Sequence, residues 1–122
     1  MFQAEFSYME LHDLDLSYSR LRQASLSLST MKNVDFSGAD LSVANLFGGR
    51  FSNSNFSRAN LQNATLVGGY FDGANFSGAD LTGANFGGAE LHLAHGLTQR
   101  QLNKACGDAF TRLSGGLTIP TC

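Results

Sequence analysis

Two cysteines, three histidines and many serines, asparagines and carboxylates are the residues of this chain that could do chemistry. A Ser or Cys nucleophile needs a base within reach to activate it, and a metal ion needs three or four converging donors. Cys106 and Cys122 both stand in the C-terminal tail, at a spacing that fits neither a zinc site nor a redox pair. Free thiols in a reducing compartment are expected, with a Cys106–Cys122 disulfide as the alternative. His92 and His95 lie near one end of the sequence and His12 near the other, so they read as surface histidines rather than as a shared metal site. The serines and glycines form no phosphate loop and no nucleophile motif. No catalytic residue, metal or cofactor is assigned, and an enzyme is not expected.

What must position such residues is a chain of 122 amino acids, ordinarily one domain. With 14 Gly, 10 Phe, no Trp and a single Pro, it fits neither a disordered segment nor an ordinary helical domain. Lys and Arg number 8 against 10 Asp and Glu, for a net charge of −2. That balance provides no strong field, so direct binding to nucleic acid or to an anionic membrane is not expected. Met1 to Phe6 lack the basic region and apolar run of a signal peptide, and no stretch approaches the ~20 apolar residues of a membrane span. A cytoplasmic protein is the expectation.

Large apolar residues recur at every fifth position from Phe6 to Leu91, eighteen in all. Two positions before each comes a small or apolar residue, most often alanine, as at Ala39, Ala59 and Ala79. On an α-helix this two-three spacing would scatter the apolar side chains around the whole cylinder. On a straight strand the step of three would reverse the face, so the chain must turn once in each unit. Two places after the large residue, Gly or Asn occurs in ten of the eighteen units, including Asn33, Gly38, Gly48, Gly68, Gly73, Gly78 and Gly83. Both tolerate the positive φ of a tight type II corner. Four such corners close a square of twenty residues, and stacked squares repeat at about 4.8 Å. Eighteen units then make about four and a half coils, a rod of about 22 Å.

The units Ala39-Asp40-Leu41-Ser42-Val43, Ala59-Asn60-Leu61-Gln62-Asn63 and Ala79-Asp80-Leu81-Thr82-Gly83 resemble the A(D/N)LXX signature of pentapeptide-repeat proteins. The resemblance covers residues 4–93, and a fixed internal period sustained that long identifies a solenoid. It implies an all-β solenoid, a right-handed quadrilateral β-helix; the hand comes from the resemblance and not from the spacing. Residues 1–93 are assigned to the β-helix, and 94–122 to a capping helix at about 98–106 with an irregular tail in the same domain.

Every twentieth residue stacks, so one interior column reads Leu21, Leu41, Leu61, Leu81 and another Leu16, Phe36, Phe56, Phe76. Ser19, Ser29 and Ser54 take the small inward position, where each hydroxyl must bond neighbouring backbone. Asn55 over Asn75 is expected to form an amide ladder between coils. At the C-terminal end, Thr98 is the expected N-cap with Gln101 completing a capping box, Leu97 and Leu102 form a hydrophobic staple, and Gly107 ends the helix. Leu102, Ala105 and Cys106 are placed on the open end of the core. The tail, with Phe110, Leu113, Leu117 and Ile119, is expected to fold back over the last coil.

Two surface features remain as candidate contacts. Phe47 and Val67 stack on one outer face beneath Leu28, with Val43 and Tyr70 at adjoining edges; this is either an interaction patch or local shielding of backbone. Arg50 is one coil from Tyr70 and can stack on it. Met1, Phe2, Met9 and Leu14 make the N-terminal end apolar, so these side chains fold inward or another subunit covers them. Glu5, Glu10, Asp13 and Asp15 crowd the same coil and discourage indiscriminate edge pairing. A homodimer through this end, or through the C-terminal half, is the arrangement considered.

The function expected is a rigid, non-catalytic interaction or scaffold module with an unidentified protein partner. The resemblance also implies an alternative, because some members of the family imitate duplex DNA and inhibit or protect type II topoisomerases such as DNA gyrase. Duplex DNA carries one negative charge per ~1.7 Å, so a rod of about 22 Å imitating it needs roughly 13. Residues 4–93 hold nine acids and five bases, and Arg50 and Arg58 interrupt the middle.

Overall fold

Residues 4–122 are described by the computed structural model of the chain; Met1 and Phe2 of the N-terminal contact lie outside them. The first extended piece, β1 (Glu10–His12), pairs in parallel with β2 (Thr30–Lys32), Glu10 opposite Thr30 and Leu11 opposite Met31. The same step of twenty continues as single-residue parallel bridges, from Glu5 with Ser25 to Asn75 with His95. A corner every five residues leaves too little extended chain for long strands, which is why ladder and corner alternate.

One rung shows the bonding. Leu46 N–H donates to Thr65 O at 2.7 Å, Asn45 N–H donates to Ala24 O at 2.9 Å, and Ala44 N–H closes its corner on Leu41 O at 3.0 Å. The third residue of that corner, Val43, has φ 58°. Corners therefore have the positive φ expected of them, and they impose it on more than Gly and Asn. Tyr18, Leu28, Val43 and Arg58 all adopt it, although the left-handed region costs an ordinary L-residue roughly 1–2 kcal/mol. The closed ladder above and below overrides that local preference.

Inside, Leu41, Leu61 and Leu81 form one buried column and Phe36, Phe56 and Phe76 another. The Phe36 and Phe56 rings lie 5.0 Å apart and nearly parallel, and Phe56 and Phe76 repeat this at 5.2 Å. A second aromatic column, Phe51 over Phe71 at 5.4 Å, meets the first edge to face. Such offset stacks and edge contacts add to what burial alone contributes. The inward serines are satisfied: Ser29 Oγ donates to Leu26 O, Ser19 Oγ to Leu16 O, and Ser54 Oγ to Met31 O.

The amide ladder is not how the outer asparagines bond. Asn55 and Asn75 do occupy bridged positions, but Asn55 Oδ1 accepts the N–H of Ser57 and Asn75 Oδ1 that of Ser77, both at 2.9 Å. An acceptor two residues away along the same side is already aligned, so each amide oxygen secures its own corner. Asp40 and Asp80 do the same for Ser42 and Thr82.

After His95 the regular step ends. Helix α1 (Gln99–Leu102) begins at Thr98, whose hydroxyl accepts Gln101 N–H while Gln101 Oε1 accepts Thr98 N–H, the capping box expected. The helix is one turn long, not the stretch to residue 106. Lys104 O instead accepts Gly83 N–H, Cys106 N–H donates to Ala84 O and Phe86 N–H to Cys106 O, so the backbone rejoins the ladder. Cys106 bridges Asn85 and Arg112 bridges Glu90, steps of twenty-one and twenty-two. Gly107 accordingly is a ladder residue and not the helix stop.

Leu102 and Ala105 are buried as expected, but Cys106 is on the outer ladder position rather than on the core. Leu113 and Ile119 fold back and pack against the core, whereas Phe110 remains 78 % exposed. The expectation of free thiols is overturned: Cys106 and Cys122 form a disulfide, their Cα atoms 4.8 Å apart. Spacing could not show this, because a further parallel bridge, Gly107 with Thr121, brings the last residues back beside Cys106.

Candidate interaction surface

Four sides of the coil present different surfaces, and the side containing Ser25–Leu28, Asn45–Gly48 and Thr65–Gly68 has no charged residue in those three rungs. Successive side chains alternate in and out, so Leu26, Leu46 and Leu66 are buried while Phe47 and Val67 point outward in one column. Leu28 N–H donates to Phe47 O and Gly48 N–H to Val67 O, both at 2.8 Å, which sets the vertical register of the patch.

Leu28 leans over the corner above it. A Cβ on Gly48 would lie 2.7 Å from Leu28 Cδ2, so the glycine leaves the space that this side chain occupies. Phe47 is 45 % exposed and Leu28, on the adjacent rung, 44 % exposed. Of the five patch residues, Leu28, Phe47 and Val67 share this side. Val43 takes the corner before it, and Tyr70 the adjoining side beyond the next corner. Tyr70 is held by Arg50, whose guanidinium carbon is 4.6 Å from the ring centroid. At the other candidate contact, Met9 and Leu14 are exposed at the first rung, while Phe6, Leu11 and Leu16 pack partly against the core.

Several carboxylates serve corners, Asp15, Asp35, Asp40 and Asp80 among them. The Ser42 hydroxyl, then its N–H, holds the Asp40 carboxyl below the ordinary range, and the Thr82 hydroxyl and N–H do so for Asp80. Arg112 Nη1 is 3.2 Å from Glu90 Oε1, and His92 Nδ1 is 3.9 Å from the same oxygen. His95 bridges Asn75 on another side and His12 lies against Asp13, so the three histidines are apart. Among the described residues, no group of three His, Cys, Asp or Glu is placed to hold a metal ion. Open grooves occur beside Tyr18, Arg20, Arg22 and Asp40, and beside Asp80, Arg100 and Lys104.

One structural contact at the cap has no signal in the repeat. Gln101 closes the capping box and also donates from Nε2 to Phe76 O at 2.8 Å and to Ala79 O at 3.0 Å, tying α1 to the coil below it. Only its position in the capping box marked Gln101 out; no periodicity links it to residues more than twenty positions earlier.

A family profile described as pentapeptide repeats matches eight copies over residues 10–48, 42–78 and 59–95. No curated protein matches the chain. Among solved structures, a trypsin-treated form of QnrB1, a plasmid-mediated fluoroquinolone resistance protein, is 22 % identical with a TM-score of 0.61, over 95 % of this chain and 62 % of that one. A pentapeptide repeat protein from the Arabidopsis thaliana thylakoid lumen is 24 % identical with a TM-score of 0.45, over 90 % of this chain and 61 % of that one. The chain thus spans about three fifths of those two proteins. With matched repeats running through 10–95, and a ladder that steps by twenty residues beneath them, the chain belongs to the pentapeptide-repeat family, whose members are right-handed quadrilateral β-helices.

Proposed function

We propose that this protein is a rigid, non-catalytic interaction module: about four and a half coils, closed at the C-terminal end by the short helix and tail, that present the Leu28–Phe47–Val67 surface to a protein partner. The observation that carries this reading is the exposure of Phe47 and Leu28 together on a side without charge through three rungs. A large apolar side chain kept outside on a rigid scaffold is what an interface anchor requires. Val43 and Tyr70 flank it as rim residues. The reading assigns no catalytic residue, cofactor or direct contact with nucleic acid or membrane. A second copy of the chain is a partner to test beside other proteins, with Met9 and Leu14 as an alternative contact.

The test compares wild type with Phe47→Asp in quantitative partner capture and in sedimentation. A partner, or a dimer, retained by wild type and lost by the variant supports the surface. Identical behaviour of the two proteins removes it.

A second reading is favoured by the fold shared with QnrB1. In it, the rod acts as a DNA mimic on DNA gyrase. Its charge opposes this, because the nine acids and five bases of residues 4–93 fall well short of the roughly 13 negative charges of a duplex of that length. A gyrase supercoiling assay with and without a fluoroquinolone separates the two. Inhibition or drug protection at low micromolar protein makes the mimic primary, and no effect leaves the interaction module.

A further inference from the structure

The outermost segment of the chain is attached differently from the rungs beneath it. Each regular rung is joined to the next by recurring pairs of backbone bonds on its sides, as Leu46 is to Thr65 and Asn45 to Ala24. Beyond Leu113 the ties are few. Gly107 N–H donates to Pro120 O at 2.8 Å and Cys122 N–H to Gly107 O at 3.1 Å. The side chain of Gln99 accepts Thr118 N–H and donates to Thr118 O. Ile119 packs partly against the core, and Cys106 is joined to Cys122 covalently.

This segment covers something definite. Gly107 is buried, and a Cβ there would lie 3.1 Å from Ile119 Cγ2. Both backbone groups of Gly107 that face away from the rod are taken by the segment. Removing it would leave an unpaired strand edge at the C-terminal end, the feature through which strands recruit further strands. Cys122 is exposed and Cys106 only half-buried, so a thiolate in solution can reach the bond.

We propose that the Cys106–Cys122 disulfide is a redox latch. Closed, it holds residues 114–122 over the Gly107 edge; open, it lets them leave. The reductant is a dithiol. One of its thiolates attacks a cysteine sulfur and forms a mixed disulfide, and the other cysteine departs as a thiolate and is protonated. The second thiol of the reductant then displaces the first cysteine. Two electrons and two protons pass to the protein, which gains two thiols, and the reductant becomes a disulfide. Closing a loop of this length favours the closed arrangement about 100-fold. What remains after reduction is two backbone bonds to Gly107, the Gln99 side-chain bonds to Thr118 and the packing of Ile119. With fewer backbone bonds than a regular rung has, the segment opens more readily than the rungs beneath it.

Hydrogen exchange on the full chain tests it, with the protein air-oxidised, reduced by dithiothreitol, and carrying Cys122→Ser. The amides of Gly107, Thr118 and Cys122 (Ser in the variant) are expected to exchange about 100-fold faster in the reduced protein and in the variant. Those of Phe56 and Asn75 should not change, and reoxidation by a small-molecule disulfide should restore protection. Unchanged protection at Gly107 and Thr118 after reduction overturns the latch, since packing alone would then hold the segment. Loss that spreads to Phe56 and Asn75 also overturns it, because the bond would then be holding the whole rod. So does a bond that resists the dithiol in the native protein, or two free thiols in the air-oxidised one.

Discussion

A Cβ on Gly49 would lie 2.5 Å from Cε2 of Phe51, and Gly69 stands in the same relation to Phe71 at 2.7 Å. Elsewhere alanine usually fills the small inward position, as at Ala44, Ala64 and Ala74, so at these two corners the aromatic ring takes the space of the methyl group. Gly49→Ala and Gly69→Ala should each destabilise the protein by about 1–3 kcal/mol through overpacking. Gly115→Ala, where nothing lies within 4 Å, should stay within about 0.5 kcal/mol of wild type. Urea unfolding of the three variants measures this.

Val43 is a β-branched residue at φ 58° with an exposed side chain. Val43→Gly removes a left-handed penalty of roughly 1–2 kcal/mol and gives back roughly 0.5–1 kcal/mol in unfolded-chain entropy. A gain of about 0.5–1 kcal/mol in chemical denaturation is expected. A loss would mean that the Val43 side chain contributes more by packing than its exposure indicates.

Asp40 accepts the Ser42 hydroxyl at 2.6 Å and its N–H at 3.0 Å, and Asp80 accepts the same groups of Thr82. These bonds favour the ionised carboxylates, so both groups titrate below the ordinary aspartate value. Their stabilisation is present above the unfolded value of about 3.9 and is lost as pH falls through the lower folded value. Tm should therefore decline as pH is lowered below about 4. Asp40→Asn with Asp80→Asn should flatten that decline, since an amide oxygen already serves the corners at Asn55 and Asn75. Thermal melts between pH 2 and 6 (a range set by the reference value of about 3.9) compare them.

Gln101→Ala removes one side of the capping box and both bonds to Phe76 O and Ala79 O. A loss of about 2 kcal/mol is expected, from one cap and two hydrogen bonds at the usual scale. Its effect should be local, in a rod whose neighbouring coils carry much of the stability independently. Hydrogen exchange should show faster opening at Leu102 and Asn103 while Phe56 stays protected.

Phe47→Asp should leave stability within about 0.5 kcal/mol of wild type, because the side chain is 45 % exposed and makes no side-chain hydrogen bond. Denaturation of the variant beside its capture of partners distinguishes loss of binding from loss of folding.

The period of five was fully legible in the residues. Leu41, Phe56 and Ala59 repeat at intervals that admit neither helix nor straight strand, and a twenty-residue ladder follows from closing four corners. The stacks of Phe36, Phe56 and Phe76, and the capping box of Thr98 and Gln101, were readable for the same reason: each depends on a fixed sequence interval. Other features depend on distances that no interval sets. Leu28 and Val43 adopt positive φ because the rungs on either side are already in place. Helix α1 stops at Leu102 because Lys104 and Cys106 find ladder partners in Gly83, Ala84 and Phe86. Cys106 meets Cys122 because a parallel bridge sets Thr121 beside Gly107. Local periodicity determined the repeat, and the competition among backbone groups at the end of the rod, where the period stops, was decided by tertiary structure alone.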